Sequence, residues 1–375
     1  MKILFAEWDC YGKDDLKETF AAEGHSVVCC PMQLHGNSQS EQPMLALLHK
    51  EGPDIVFSFN YFTHISDICN KENIKYVSWT YDSPNLSLYS DTVINPCNII
   101  YVFDKDVYMQ FHKAGIDTVH YMPLAVNVSR LDRMGKSLPF QYDVSFVGSL
   151  YVERGNYYDQ MAADLPDYAK GYLDGLMAAQ LKIQGYNFIE ESLGPVIDDL
   201  YKAFPIVPAG MESREFLYAH AVINRRITAI ERLDLLLDIA NAHRVDLFTH
   251  YGGVTMPGLR NHGSVDSYSE MPLVFKQSKI NLNITLRSIQ NAIPLRAFDI
   301  MGAGGFLLTN FQAEFLDFFV PGEDFIYYED KEDLLKKIDY YLIHEDERAA
   351  IAKNGHDKVA AAHTYRHRVK EMLDF

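Results

Sequence analysis

The stretch NLNITLRSIQNAIPLRAFDIMGAGGFLLTN, Asn281 to Asn310, decides how this chain is read. Ile280 to Ile284 reads as a β-branched strand, and Leu286 to Ile293 is too polar and broken to be core. Pro294 stands where a first helical turn tolerates a missing N–H. Gly302, Gly304 and Gly305 then let the chain turn tightly out of a short helix into a second strand, Phe306 to Thr309. Strand, irregular loop, helix start and strand in this order build anion sites in open α/β sheets, because unpaired N–H groups at the helix start face the ligand.

Within that helix Leu295, Phe298 and Met301 recur every three residues and are expected to pack inward. Arg296 and Asp299 then share a neighbouring face. They form either an i, i+3 surface ion pair or one cation and one carboxylate presented to a ligand. An arginine in the first turn opposes the helix dipole by a few tenths of a kcal/mol unless an anion sits there, so the ligand reading explains its position.

Working outward, the first half alternates strand and helix with a period of roughly thirty residues, which points to a parallel sheet. Strands are expected at Lys2–Trp8, Ser26–Cys30, Asp54–Phe59, Lys75–Thr80, Ile99–Phe103 and Thr118–Met122, with helices near Asp14–Glu23, Pro43–Lys50, His64–Lys71 and Lys105–Ala114. In a doubly wound sheet the ligand lies beyond the carboxyl ends of the strands. The residues there are Asp9, Tyr11 and Gly12, then Asn60 and Tyr61, then Tyr81-Asp82-Ser83-Pro84. Asp82 either caps the Ser-Pro turn or faces a cleft. No G-x-G-x-x-G follows any of these strands, which disfavours a conventional dinucleotide fold.

Ser129 to Phe140 is polar and mixed, and reads as an interdomain linker. A new strand, Tyr142–Val147, runs into Gly148-Ser149-Leu150-Tyr151-Val152-Glu153-Arg154-Gly155. There Gly148 permits close backbone approach and Arg154 offers charge-assisted hydrogen bonds to phosphate, against the alternative of a turn glycine and a solvated arginine. Residues 157–243 are almost wholly helical and form an insertion, in which the Arg225-Arg226 pair reads as solvated. A strand at Val245–Thr249 and a helix at Glu270–Lys279 precede the opening segment, and three amphipathic helices, Lys331–Tyr341, Glu345–Asn354 and His363–Asp374, follow it.

Composition narrows the field. A chain of 375 residues with 48% hydrophobic content has material for two cores. The net charge of −17 argues against a nucleic-acid or anionic-membrane binder, so a nucleotide must be met by a local cationic cluster. The amino terminus reads as neither signal peptide nor membrane span. Five cysteines without a CxxC pair suit reduced thiols, and with the amino terminus they suggest a cytoplasmic protein. The one Asp-x-Asp step, Asp104-Lys105-Asp106, opens a helix and reads as a cap rather than a metal site.

PLRAFDIMGAGGFLLT resembles the donor-sugar motif of GT-B glycosyltransferases and is similar to the CgeB-type spore-maturation glycosyltransferase-like proteins. The resemblance implies an α/β fold of two Rossmann-like doubly wound domains facing a cleft, at 1–135 and 140–362, with the helical insertion in the second and a last helix, 363–375, crossing back to the first. In that family a second acid binds the ribose hydroxyls, and Asp299 matches it. Eight residues earlier, where the family carries a glutamate, stands Asn291. VGSLYVERG is similar to the loop that reaches the donor pyrophosphate, which adds Gly148, Ser149 and Arg154. The base-recognising loops correspond to His250–Val254, with Tyr251 and Gly252, and to Gly263–Val265, with Val265. Thr285, after the strand, and Leu295, at the helix start, are further donor-binding candidates. The implied activity is transfer of a sugar from a nucleotide-diphosphate sugar, UDP by default, to a glycan, protein or small-molecule acceptor held by the first domain, with retention and without a metal or cofactor. Arg154, Arg296 and Asp82 are the catalytic candidates, and an inverting enzyme would draw its base from Asp82, Asp9 or His64. A non-catalytic binder in a surface or spore assembly and a sugar-nucleotide epimerase are the alternatives on the same fold.

Overall fold

The first half folds into six parallel strands: β1 (Lys2–Glu7), β2 (Ser26–Pro31), β3 (Ile55–Phe59), β4 (Lys75–Trp79), β5 (Asn98–Val102) and β6 (Val119–Tyr121). Their order is β2-β1-β3-β4-β5-β6, with Phe5 opposite Phe57 and Phe57 opposite Val77. The chain is seen here as a computed structural model, which describes residues 1–32, 41–135, 138–152, 156–208 and 210–374, the side chain of Glu41 excepted. β3 is buried at every position, as a parallel strand covered on both faces must be, and this is why IVFSF shows no polar alternation. Gly24 and Gly115 follow their helices in the left-handed region, φ 86° and 74°, and Asp104 caps helix Lys105–Lys113 by accepting from the Asp106 N–H at 3.0 Å.

The second sheet is also parallel: β7 (Tyr142–Val147), β8 (Val245–Phe248), β9 (Leu259–Asn261), β10 (Ser278–Asn283), β11 (Leu307–Asn310) and β12 (Ile326–Tyr328), in the order β12-β11-β10-β7-β8-β9. β10 is central, between β7 and β11. Val144, Phe146, Leu247, Ile280, Leu282 and Leu308 belong to one buried cluster with helix residues Leu235, Leu236 and Ile239.

Two compact units result. One comprises Met1–Asn127 with residues 210–212 and 362–374, the other Val128–Pro208 with Ser213–Ala361. In the first, helix Tyr365–Met372 is held by a capping box between Thr364 and His367 and by Arg368, which donates to the carbonyls of Pro123 and Leu124 and to His363 Nδ1 at 2.7 Å. Gly12 opens helix Lys13–Ala22 at φ 86°, and a Cβ there would stand 2.4 Å from the Tyr365 hydroxyl.

In the second unit the insertion is helical as expected: Tyr157–Ala163, Asp167–Gln180, Ile197–Ala203, Arg214–Leu217 and Asn224–Ala240, the last continuing a π-helical turn, Tyr218–Ile223. It has a core of its own around Met161, Leu173, Leu200, Tyr218 and Ile227. Part of the expected linker is instead helical: Val128–Arg133 forms a short helix with Val128 and Leu131 buried. Among the described residues no helix is long and apolar enough to cross a membrane.

Candidate functional site

Helix Leu295–Gly302 follows the loop that leaves the carboxyl end of β10, and β10 lies between β7 and β11 in the parallel sheet, so the loops after these strands leave the sheet at the same end. Pro294, φ −67°, precedes that helix rather than opening it, and the preceding N–H, that of Ile293, donates to the buried carboxylate of Glu314. The helix has no side-chain cap and no acid in its first turn. Helices Thr63–Glu72 and Met271–Lys276 are likewise uncapped and free of acid in the first turn, so what sets this start apart is Arg296 within it. An uncapped start that carries an arginine is electrostatically suited to an anion.

Arg296 and Asp299 do meet, at 3.5 Å, yet the pair is not a surface one. Asp299 is 3% exposed, and the Arg296 guanidinium lies 5.5 Å over the Phe275 ring, touches the Met271 sulfur and keeps 29% of its side chain open. The inward face also differs from the expected triplet. Leu295 is half-buried, while Ala297, Phe298, Ile300 and Met301 are all buried, because this helix is enclosed on more than one side.

The loop Leu286–Ile293, expected outside the core for its polarity, has no exposed residue: Arg287, Ser288, Ala292 and Ile293 are buried and the other four are half-buried. Its polar groups have partners on the insertion. Arg287 grips Glu231 through two bonds of 2.8 and 2.7 Å and donates to the Ile183 carbonyl at 2.9 Å, and its N–H donates to Thr228 Oγ1. Asn187 Nδ2 donates to the Arg287 carbonyl. Thr285 is buried too: its N–H donates to Asn310 Oδ1 at 2.8 Å and its hydroxyl accepts from Asn283 at 3.2 Å. Asn291 is half-buried.

A residue that sequence reasoning missed ties two of these loops. Arg232 donates to the Ser149 carbonyl at 2.5 Å and through Nε to the Ile284 carbonyl at 3.2 Å, so one guanidinium spans the ends of β7 and β10. It is 8% exposed and lies over the Phe146 and Tyr151 rings at 5.3 and 5.1 Å. Its partners among the described residues are carbonyls and rings, not carboxylates, and burial pulls its pKa below the ordinary arginine value. The signal was present in the sequence: Glu231 and Arg232 stand one turn before Leu235 and Leu236, which puts two charges on an apolar helix face.

The other candidates are placed as follows. Gly148 donates its N–H to the Phe248 carbonyl, and a Cβ on it would make ordinary contact with Phe146 and Arg232. Ser149 Oγ accepts from the Tyr151 N–H at 3.1 Å. Arg154 lies outside the described residues. Asn261, at the end of β9, joins the two loops expected to hold a base: it donates to the Tyr251 carbonyl at 2.8 Å and accepts from the Gly263 N–H at 3.0 Å. Gly252 is exposed, and Tyr251 and Val265 are partly so. In the first unit Asp82 is exposed and accepts from Asn60 Nδ2 at 2.6 Å, so its partner is a side chain rather than the N–H of a turn. Asn60 in return accepts from the Tyr81 and Asp82 N–H groups. Asp9 is bound by Lys13 at 2.9 Å, which lowers its pKa.

Residues 226–374 match a family model described as glycosyl transferase-like, less than half of the chain. No curated protein sequence matches it. Among solved structures, a glycosyltransferase from Rickettsia africae is similar over 100% of this chain and 98% of its own, with 12% identity and a TM-score of 0.55. Sucrose-phosphate synthase from Thermosynechococcus elongatus is similar over 99% and 97%, with 11% identity and a TM-score of 0.54. Anabaena HepE in complex with UDP-glucose is similar over 100% and 99%, with 9% identity and a TM-score of 0.53. At such identities the likeness concerns the fold: the chain has the α/β architecture of the GT-B glycosyltransferases, two parallel six-stranded sheets with flanking helices.

Proposed function

We propose that the protein is a glycosyltransferase that moves a sugar from a nucleotide-diphosphate sugar, UDP by default, to a glycan, protein or small-molecule acceptor. The observation that carries this reading is the acid-free, uncapped start of helix Leu295–Gly302, with Arg296 in its first turn, after β10, the strand next to β7, whose Gly148-Ser149 loop is bound by Arg232. Its backbone donors and Arg296 receive the diphosphate, and Arg154 adds a second cation from the following loop. Positioned cations stabilise the charge that grows on the leaving diphosphate more than they stabilise the bound donor, which is what lowers the barrier. Asp299 takes the ribose, and Tyr251, Gly252 and Val265 line the base. Asn291 and Thr285 complete the sugar side.

The wording around Pro294–Gly305 supports the CgeB-type group within this fold. Loops of the first unit, with Asp82 and Tyr11, receive the acceptor. We favour retention without a metal, in which the leaving phosphate takes the acceptor proton and no enzymic base is required. The complex of HepE with UDP-glucose agrees with the donor class through the shared fold.

Asn291 in place of an acid favours a second reading, a nucleotide or glycan binder without turnover. Incubation with UDP-glucose and the other common sugar nucleotides, with products separated by chromatography, distinguishes the cases. Release of nucleoside diphosphate supports transfer, even as slow hydrolysis. An altered sugar nucleotide without release identifies an epimerase, and an intact donor leaves the binder.

A further inference from the structure

The amino-terminal edge of the second sheet holds a pocket of about 210 Å³, at the opposite strand ends from the site above. Ser278, the first residue of β10, lines it, as do Phe140 just before β7 and Gly304 to Phe306 just before β11; helix Glu345–Ala362 closes one side. The strand β10 runs from this pocket to the loop that leads to Arg296, whose guanidinium lies 5.5 Å over the ring of Phe275, a residue of the pocket wall.

We propose that this pocket binds a small organic anion, a single aromatic or similarly flat apolar body bearing one carboxylate or phosphate. Four cations, Lys276, Lys279, Arg348 and Lys353, line it against one acid, Glu345, in a chain whose net charge is −17. Two of the cations are already matched: Lys279 by Asp143 at 2.6 Å, and Lys353 by Asp357. The other two are not. Lys276 donates to the Ala303 carbonyl at 3.0 Å and Arg348 to the Tyr341 carbonyl, and among the described residues neither has a carboxylate within ion-pair distance. Arg348 is 2% exposed, and burial draws both groups below their ordinary pKa values. Lys276 is only partly buried and feels Asp132, and Arg348 feels Glu345 and Asp143, none of them in direct contact. A buried cation without a contacting carboxylate is costly, and an anion in the pocket would offset that cost at Arg348.

The remaining wall is apolar. Phe140 lies 5.4 Å from the Arg348 guanidinium and is 48% exposed, and Phe275, Phe306 and Ala352 lie deeper. A cavity of about 150 Å³ accepts benzene, so this one has room for a ring with one anionic group. Cation and aromatic wall together select a ligand that carries both features.

The test is calorimetric titration with phenyl phosphate and benzoate, with benzyl alcohol and inorganic phosphate as controls. The proteins are wild type, Ala349→Phe and Lys276→Met. Ala349 is an exposed residue of the wall, so phenylalanine there fills the pocket without entering the core. At least one aromatic anion should bind, and each control should bind at least about tenfold more weakly, the loss expected when one charge-assisted contact or the ring is missing. Ala349→Phe and Lys276→Met should each weaken binding by a similar factor. Which of the two anions binds names the head group. The inference is overturned if neither binds, or if binding survives Ala349→Phe at an unchanged melting temperature.

Discussion

The pair Arg287–Glu231 offers a quantitative test of how the site loop is held. Both side chains are nearly closed to solvent, 9% and 7% exposed, and the two bonds between them fix a loop that is otherwise irregular. Glu231→Leu leaves a buried guanidinium without its carboxylate, and Arg287→Met leaves the reverse. Breaking a buried pair from one side costs about 3–5 kcal/mol, whereas replacing both partners by apolar groups is often close to neutral. Each single variant should therefore lose about 3–5 kcal/mol, and the double variant should lose no more than either single, a coupling of roughly 3 kcal/mol or more. Urea unfolding followed by circular dichroism reads the loss. Tryptophan fluorescence supplies an internal control, since Trp8 and Trp79 both belong to the first unit. Single variants that lose under about 1 kcal/mol, or a double variant that loses the sum, would refute the claim that this pair anchors the loop.

Three further outcomes are expected. Arg232→Lys keeps the charge but loses the planar fork, so the carbonyls of Ser149 and Ile284 cannot both be met; a loss of about 2–3 kcal/mol is expected in the same assay, and no loss would remove Arg232 as the tie between loops. Gly12→Ala combines a left-handed backbone, disfavoured by about 1–2 kcal/mol for a residue with a Cβ, with a clash against the Tyr365 hydroxyl. Tryptophan fluorescence should report it, because the Trp79 ring lies 6.0 Å from Tyr365; an unchanged first-unit midpoint would contradict it. His363 is 4% exposed, and burial, with the nearby Arg368 charge, lowers its pKa to about 3. Its folded pKa is below the unfolded value, so its contribution is whole above about pH 6.5 and is lost as pH falls toward about 3, at about 1.4 kcal/mol per pH unit. His363→Gln should flatten the dependence of first-unit stability on pH across that window, and an unchanged slope would show that other groups set it.

What the sequence revealed was local, and what it concealed depended on distant partners. β3 was legible because a central parallel strand is apolar along its length, and β10 because Ile280, Leu282 and Ile284 alternate with Asn281 and Asn283. β9 and β12, three residues each, are too short to show a period. The Arg296–Asp299 contact could be read from i, i+3 spacing, but the burial of Asp299 could not, since it depends on what surrounds the helix. The Leu286–Ile293 loop was misjudged for the same reason. Its polarity is visible in the sequence, while Glu231, Thr228 and Asn187, which satisfy that polarity, stand 56 to 100 residues away. Polar residues are core residues when every polar group is paired.

The most direct test of the donor site is a calorimetric panel of UDP, GDP, TDP, CDP and ADP, with pyrophosphate, against wild type, Arg296→Ala and Asp299→Asn. One nucleoside diphosphate should bind the wild type. Arg296→Ala should weaken both it and pyrophosphate by about tenfold or more, as loss of a charge-assisted contact to phosphate requires. Asp299→Asn should weaken the nucleotide more than pyrophosphate. If no nucleoside diphosphate binds, or if the one that does binds Arg296→Ala as tightly as wild type, the start of helix Leu295–Gly302 is not a diphosphate site.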